Sequence, residues 1–250
     1  LGEANPDTAT YEDSKKEQKQ YSNIVVVPTL EEDIATFETD AIQFVKDNGA
    51  LFIDVGALSN VSATLRIRKE QARLLRERNI SLLLLHDDFE WTIPASNLRM
   101  SDWRIQYENV ERNFKNEQSL AYRFSIKENQ EEITDFKQPM TIRYYFDDSM
   151  KDFQLYHLVE DQWETYSGET ETGSIAFQTD RLPKTFGFLD ATKLSELSEK
   201  APEEKTKSSR RNQAKKVYQI IKAAAGVLTA ALLLFFFINH FRRKKDQSKN

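Results

Sequence analysis

Residues Ala223–Ile238 read AAAGVLTAALLLFFFI, sixteen residues in which Thr229 alone is polar. Extended to Ile220 and Phe241, the run covers twenty-two residues. That is roughly 33 Å of helix at 1.5 Å per residue, close to the hydrocarbon thickness of a bilayer. Lys222 interrupts it near one end, and Asn239 and His240 near the other. A lysine within a turn of the end can carry its ammonium out to the headgroups. A core helix has no reason to be bracketed by Lys215 and Lys216 on one side and by Arg242, Arg243, Lys244 and Lys245 on the other. Segment 217–241 is therefore expected to be a single transmembrane helix, with the lipid bilayer as a partner.

Counting charge does not orient it, because each flank carries five basic residues: Arg210, Arg211, Lys215, Lys216 and Lys222 against Arg242, Arg243, Lys244, Lys245 and Lys249. The density of Arg242–Lys245 against the apolar run reads as a stop-transfer signal, which places tail 242–250 in the cytoplasm and the body outside the cell. A sequence opening on Leu1 fits a cleaved signal peptide. The competing topology is a tail-anchored protein with a cytosolic body.

From Lys205 to Asn250 there are 12 basic residues and one acidic residue, leaving 23 basic and 39 acidic residues upstream. A body of net charge −16 repels a phosphodiester backbone, so no nucleic-acid partner is expected. The absence of cysteine excludes a disulfide-stapled scaffold, a thiolate zinc site, a cysteine nucleophile and a lipoprotein anchor.

Residues 1–22 are polar, almost without aliphatics, and read as a flexible leader; 192–216 read as a polar and basic stalk. Between them, 23–100 mix helix and strand. Asn23–Pro28 is a short apolar strand. Ile34, Phe37, Ala41, Phe44 and Val45 share one face of a helix predicted over Leu30–Asn48, with Gly49 as its C-cap. Strands follow at Ala50–Val55 and Ser62–Ile67, a helix at Lys69–Arg78, and strands at Ile80–Leu85 and Phe89–Pro94. Residues 101–191 read as strand after strand: Trp103–Val110, Leu120–Glu128, Met140–Asp147, Phe153–Val159, Trp163–Ser167, Ser174–Thr179 and Thr185–Leu189. Short strands with polar turns argue for an antiparallel sandwich. The expected class is α+β: a mixed module, a β-sandwich-like module and one membrane helix.

From Gln138 the sequence QPMTIRYYFDD…FQLYHLVEDQWETYSG…GSIAFQTDRLPKTFGFLDA resembles an extracellular module of Gram-positive (Bacillus-type) cell-surface proteins, of the kind found beside S-layer-homology repeats. The upstream helix and RKEQARLLRERNISLLLLHDDFEWTIPASNL resemble the module that precedes it there. The resemblance covers about residues 23–191 and implies an extracellular body. Such modules often close on a His-Phe-Ser/Thr-x-Phe stretch tied to self-cleavage. Arg181-Leu182-Pro183-Lys184-Thr185-Phe186 stands here instead, without the His or a following hydroxyl nucleophile. No catalytic residue carries over.

The remaining motifs favour structure over chemistry. Leu182-Pro183-Lys184-Thr185 has sortase-signal lettering, but Phe186 replaces the glycine and thirty-six residues separate it from Ala223, so it reads as the last strand of the sandwich. Gly168-Glu-Thr-Glu-Thr-Gly173 has P-loop spacing without the lysine and reads as a polar hairpin. His86-Asp87-Asp88 reads as a turn rather than a metal or proton-transfer site, His157 sits mid-strand, and Asp147, Asp148 and Asp152 lack EF-hand spacing. No HExxH, GxSxG or SxxK is present. No cofactor, metal-ligand or catalytic set is expected. Tyr145 and Tyr166 alternate away from the apolar positions and are the candidates for stacking on a ligand.

The sequence thus points to a membrane-anchored cell-surface protein displaying a non-enzymatic structural or binding body, with a cell-wall polymer or surface protein as its partner. The alternatives are an envelope sensor and a carboxylate-dependent hydrolase centred on Asp87, Asp88 and Glu90.

Overall fold

A computed structural model describes residues 7–190 apart from 33, 57, 59–61, 111–118, 151 and 161. The chain runs β1 (Thr8–Thr10), α1 (Tyr11–Glu17), β2 (Tyr21–Val26), β3 (Thr29–Glu31), β4 (Ile34–Thr36), β5 (Val45–Asp54), β6 (Ser62–Ile67), α2 (Lys69–Glu77), β7 (Ser81–Leu85) and β8 (Phe89–Ile93). It continues through β9 (Trp103–Asn109), β10 (Leu120–Glu128), β11 (Glu131–Glu132), β12 (Asp135–Tyr145) and β13 (Phe153–Val159). The last described strands are β14 (Gln162–Thr165), β15 (Glu169–Glu171), β16 (Ser174–Arg181) and β17 (Lys184–Asp190). Single 3-10 turns occupy Thr39–Phe44, Ala95–Asn97 and Asp148–Met150.

The body is mostly β, built as two sheets. The first is ordered β1-β2-β5-β7-β8-β12-β16-β15 and the second β14-β13-β17-β10-β9-β6-β4-β3, with β11 added to β10. Alternation decides what lies between them. Pairing sets Val26, Ile53, Leu84, Trp91, Ile142 and Phe177 side by side across the first sheet, and every one is buried. Opposite them the second sheet offers Leu65, Ile105, Tyr107, Phe124, Phe186 and Phe188. Phe124 meets Trp91 and Phe89 edge-on, with ring centroids 5.0 and 5.2 Å apart. Burying one such aromatic contributes about 2–3 kcal/mol, and the edge-to-face pairing adds to it.

Both sheets take strands from either side of residue 100: β8 pairs with β12, and β6 with β9. The expected boundary between modules at 100/101 falls inside one core. The sandwich is also not purely antiparallel, because β1-β2-β5-β7 and β4-β6 pair in parallel.

Two further expectations need correction. The leader is ordered from Asp7 on. Thr10 caps α1 by accepting from the Asp13 amide at 3.1 Å, and buried Tyr11 packs on Phe44 with centroids 6.0 Å apart while its hydroxyl donates to Glu38 at 2.6 Å. The helix over Leu30–Asn48 does not form; β3, β4, a 3-10 turn and the start of β5 replace it. Parallel β2 and β5 need a crossover, and this segment makes it, with Ala35, Phe37, Ala41, Ile42 and Val45 still buried. Gly49 is no C-cap. A Cβ there would stand 2.2 Å from the Ser22 carbonyl oxygen, so only glycine lets β2 and β5 approach.

Elsewhere the elements match the sequence closely. β6, β10 and β13 have the expected bounds, and α2 ends one residue early. The P-loop-spaced segment is the β15–β16 hairpin, turning at Gly173 with φ 74°. Lys184 and Thr185 open β17, as the strand reading of the sortase-like motif requires. The membrane segment 217–241, stalk 192–216, tail 242–250 and flanking residues Lys215, Lys216, Lys222, Arg242, Arg243, Lys244 and Lys245 all lie outside the described residues. Among the described residues no helix is long and apolar enough to cross a membrane.

Candidate functional site

Two places on the body hold the residues singled out from sequence. The first is the β7–β8 turn. The His86 amide donates to the Phe89 carbonyl at 2.9 Å, closing the turn, and His86 Nδ1 accepts from the Asp88 amide at 3.1 Å. The His86 ring is buried, stacked on Phe89 at 4.6 Å and met edge-on by Tyr107 and Tyr122. It therefore works as a wedge between the sheets, as a turn-forming reading requires.

The carboxylates of this turn have separate fates. Asp88 Oδ2 accepts a short hydrogen bond from the Tyr122 hydroxyl, anchoring the turn to the second sheet. Asp87 and Asp54 both approach Gly56: a Cβ there would lie 3.4 and 3.5 Å from their Oδ1 atoms. Burial, then the charges of Asp88 and Asp54, raises the Asp87 pKa above the usual carboxylate range. Burial, then the charges of Asp87, Asp54 and Asp88, pushes the Tyr107 hydroxyl further from ionisation. Glu90 faces away from the core and accepts from the Tyr145 hydroxyl at 2.8 Å. Asp88 and Glu90 are thus engaged from opposite sides of the first sheet, and neither of two surface cavities is lined by Asp87, Asp88 or Glu90.

The second place is the outer face of the first sheet. Strand alternation that buries Phe89, Trp91, Ile142 and Tyr144 turns Glu90, Thr92, Thr141, Arg143 and Tyr145 outward. Val25, Phe52, Leu83, Thr92, Thr141 and Gln178 form one register row across six strands, apolar at one end and polar at the other. Beside it, Arg143 stands opposite Glu90 and donates to Glu171 at 2.6 Å and Ser174 at 3.1 Å. Tyr145 ends this polar region, 42% exposed, with its hydroxyl tied to Glu90. Burial and then that bond raise its pKa, so the phenol stays neutral in any physiological medium.

Tyr166 lies elsewhere. It follows β14, donates to the Gln178 carbonyl at 2.7 Å, and packs edge-on against Phe177 and Phe186 at 6.1 and 5.1 Å. Its ring belongs to the rim of the core, and the structure does not bring it beside Tyr145. His157 contacts the Tyr166 ring at 4.9 Å, with Glu164 3.6 Å from its Nε2. Burial, then the Lys184 charge, lowers its pKa against the opposing pull of Glu164. Asp147 accepts from the Ser149 amide at 2.9 Å, a turn contact. Sequence reasoning missed the partners of Tyr145: Glu90, fifty-five positions away, and Arg143, whose outward direction was legible but whose neighbours depend on sheet order. Compared with known proteins, the chain matches no family model, no curated protein and no solved structure.

Proposed function

We propose that this chain is a membrane-anchored cell-surface protein, held by a helix at 217–241, whose sandwich acts outside the cell as a binding body. In this proposal the body joins a mixed helix–strand N-terminal half to a sandwich-like C-terminal half, is carried on a stalk, and is related to extracellular modules of Gram-positive surface proteins. One observation carries the binding role. Tyr145 presents an exposed ring on a sheet face while Glu90 fixes its hydroxyl. A ring held this way stacks on a flat partner without losing rotamer freedom on binding. The polar neighbours Arg143, Thr92 and Thr141 suit the hydroxyls of a cell-wall polymer.

Co-sedimentation with purified cell walls tests the role. The Tyr145→Ala chain is expected to lose most of its binding, and Tyr145→Phe, which keeps the ring but frees it from Glu90, to bind at an intermediate level. Equal binding by wild type and Tyr145→Ala would sink the assignment of the face. Protease treatment of intact cells tests display: the body should be digested before the membrane is broken. Protection until lysis would reverse the topology in favour of a tail anchor.

A further inference from the structure

A cavity of about 250 Å³ opens where α2, the Ala95–Asn97 turn and the start of β12 meet, at the opposite end of β12 from Tyr145. Three cationic side chains line it: Arg76 from the last turn of α2, Arg99 just beyond the 3-10 turn, and Lys137 from β12. Arg76 and Lys137 are exposed, and neither makes an ion pair among the described residues. Arg99 shares its guanidinium with Glu128 at 2.8 Å. The one carboxylate in the wall, Asp135, stands 3.5 Å from Arg181. Positive charge is therefore in excess around the cavity.

Its frame is rigid. Asn97, nearly fully buried, donates to the Gln138 carbonyl at 2.8 Å and accepts from the Gln138 amide at 3.0 Å, which clamps the turn to β12 next to Lys137. Ile133 and Phe136 supply an apolar wall. Ser96 also lines the cavity, and its Oγ is buried with no hydrogen-bond partner among the described residues. A buried hydroxyl without a partner is costly and rare. Rotating it about χ1 toward a bound oxyanion breaks no existing bond.

We propose that this cavity is a phosphate-binding site, with Arg76 and Lys137 as the charged contacts, Arg99 assisting and Ser96 donating its hydroxyl. Guanidinium and ammonium groups together match the tetrahedral, multiply charged oxyanion. The apolar wall leaves room for a short organic substituent. The proposal goes beyond the display role and stands whichever side of a membrane the body occupies.

The test is a titration of inorganic phosphate against the full chain in neutral detergent, at constant ionic strength, followed by 31P line broadening. Saturable binding is expected. In Arg76→Gln/Lys137→Gln it should weaken at least about tenfold, the loss expected from removing charge-assisted contacts. Both residues are exposed, so the variant should keep the wild-type melting temperature. Ser96→Ala should weaken binding without lowering stability. Glycerol phosphate is the second arm: displacing phosphate at lower concentration assigns the site to a phosphate ester such as a lipid headgroup fragment, and poorer displacement assigns it to free phosphate. No saturable binding, or equal binding by wild type and the double variant, would overturn the site. Neither result touches the Tyr145 face.

Discussion

At the scale of single residues, charge is used chiefly to fasten segments that sequence leaves loose. Asp7 accepts from Lys46 Nζ at 2.7 Å and from the Ser22 amide at 3.0 Å, tying the start of the chain to β2 and β5. The Lys46 contact first, and the Ser22 hydroxyl next, hold its pKa down from an ordinary 3.8 to about 2. A carboxyl depressed in the folded state contributes stability above its unfolded pKa and loses it as pH falls through the folded one. Protection of the Thr8–Thr10 amides, exchange measured against the intrinsic rate at the same pH, is therefore expected to hold down to about pH 4 and to fall toward pH 2. In Asp7→Asn the exchange should already be fast at neutral pH, with that acid step gone. Arg78 fastens another loose segment. It donates to Asp47 at 2.7 Å, to the Ile42 carbonyl at 2.7 Å and to the Val45 carbonyl at 2.5 Å, pinning the crossover that leads into β5.

At the scale of elements, β5 depends on what it can approach. Between Tyr21↔Val45 and Asn23↔Ala50 its register with β2 shifts, and Asn48, with φ 63°, takes up the irregularity. Gly49→Ala would drive a methyl into the Ser22 carbonyl, and because that obstacle is backbone the strands must part. A loss of about 3 kcal/mol, read by urea unfolding, is the expected result. An unchanged midpoint would mean that β2 and β5 are not this close. The failed helix over Leu30–Asn48 belongs to the same region. Its apolar residues fit a helical face, yet they are buried just as well by strand and 3-10 geometry, and the deciding fact, that β2 pairs with β5, is non-local. The rest was legible where local pattern decides: Trp103–Asn109 alternates in the sequence as it does in the sheet, and Leu120–Glu128 and Phe153–Val159, which do not alternate cleanly, are still bounded as strands by polar turns. Tyr145 was legible for the same reason. Tyr166 was not, because past the end of β14 alternation no longer says where a side chain points. The grouping of Arg76, Arg99 and Lys137 was hidden as well, since three separate segments meet only through tertiary packing.

At the scale of the whole molecule, neither half of the body owns a core. Trp91 lies in register with Leu84 from one half and Ile142 from the other, and Ile105 with both Leu65 and Ile126. A fragment comprising residues 1–100 should therefore fail to give the dispersed methyl NMR signals and cooperative melting of the intact body. Independent folding of that fragment would mean the halves are separable after all. Sheet order adds a temporal condition. β17, last of the described strands to be synthesised, sits between β13 and β10 in the second sheet. Until Asp190 has left the ribosome, β13–β14 and the β10–β9–β6–β4–β3 group are two ribbons facing each other across an unfilled slot. The strand that closes the sheet is a keystone, so the body can complete itself only after nearly all of it has been translated, and a chain stalled before Lys184 would expose two open edges ready to pair with a neighbour.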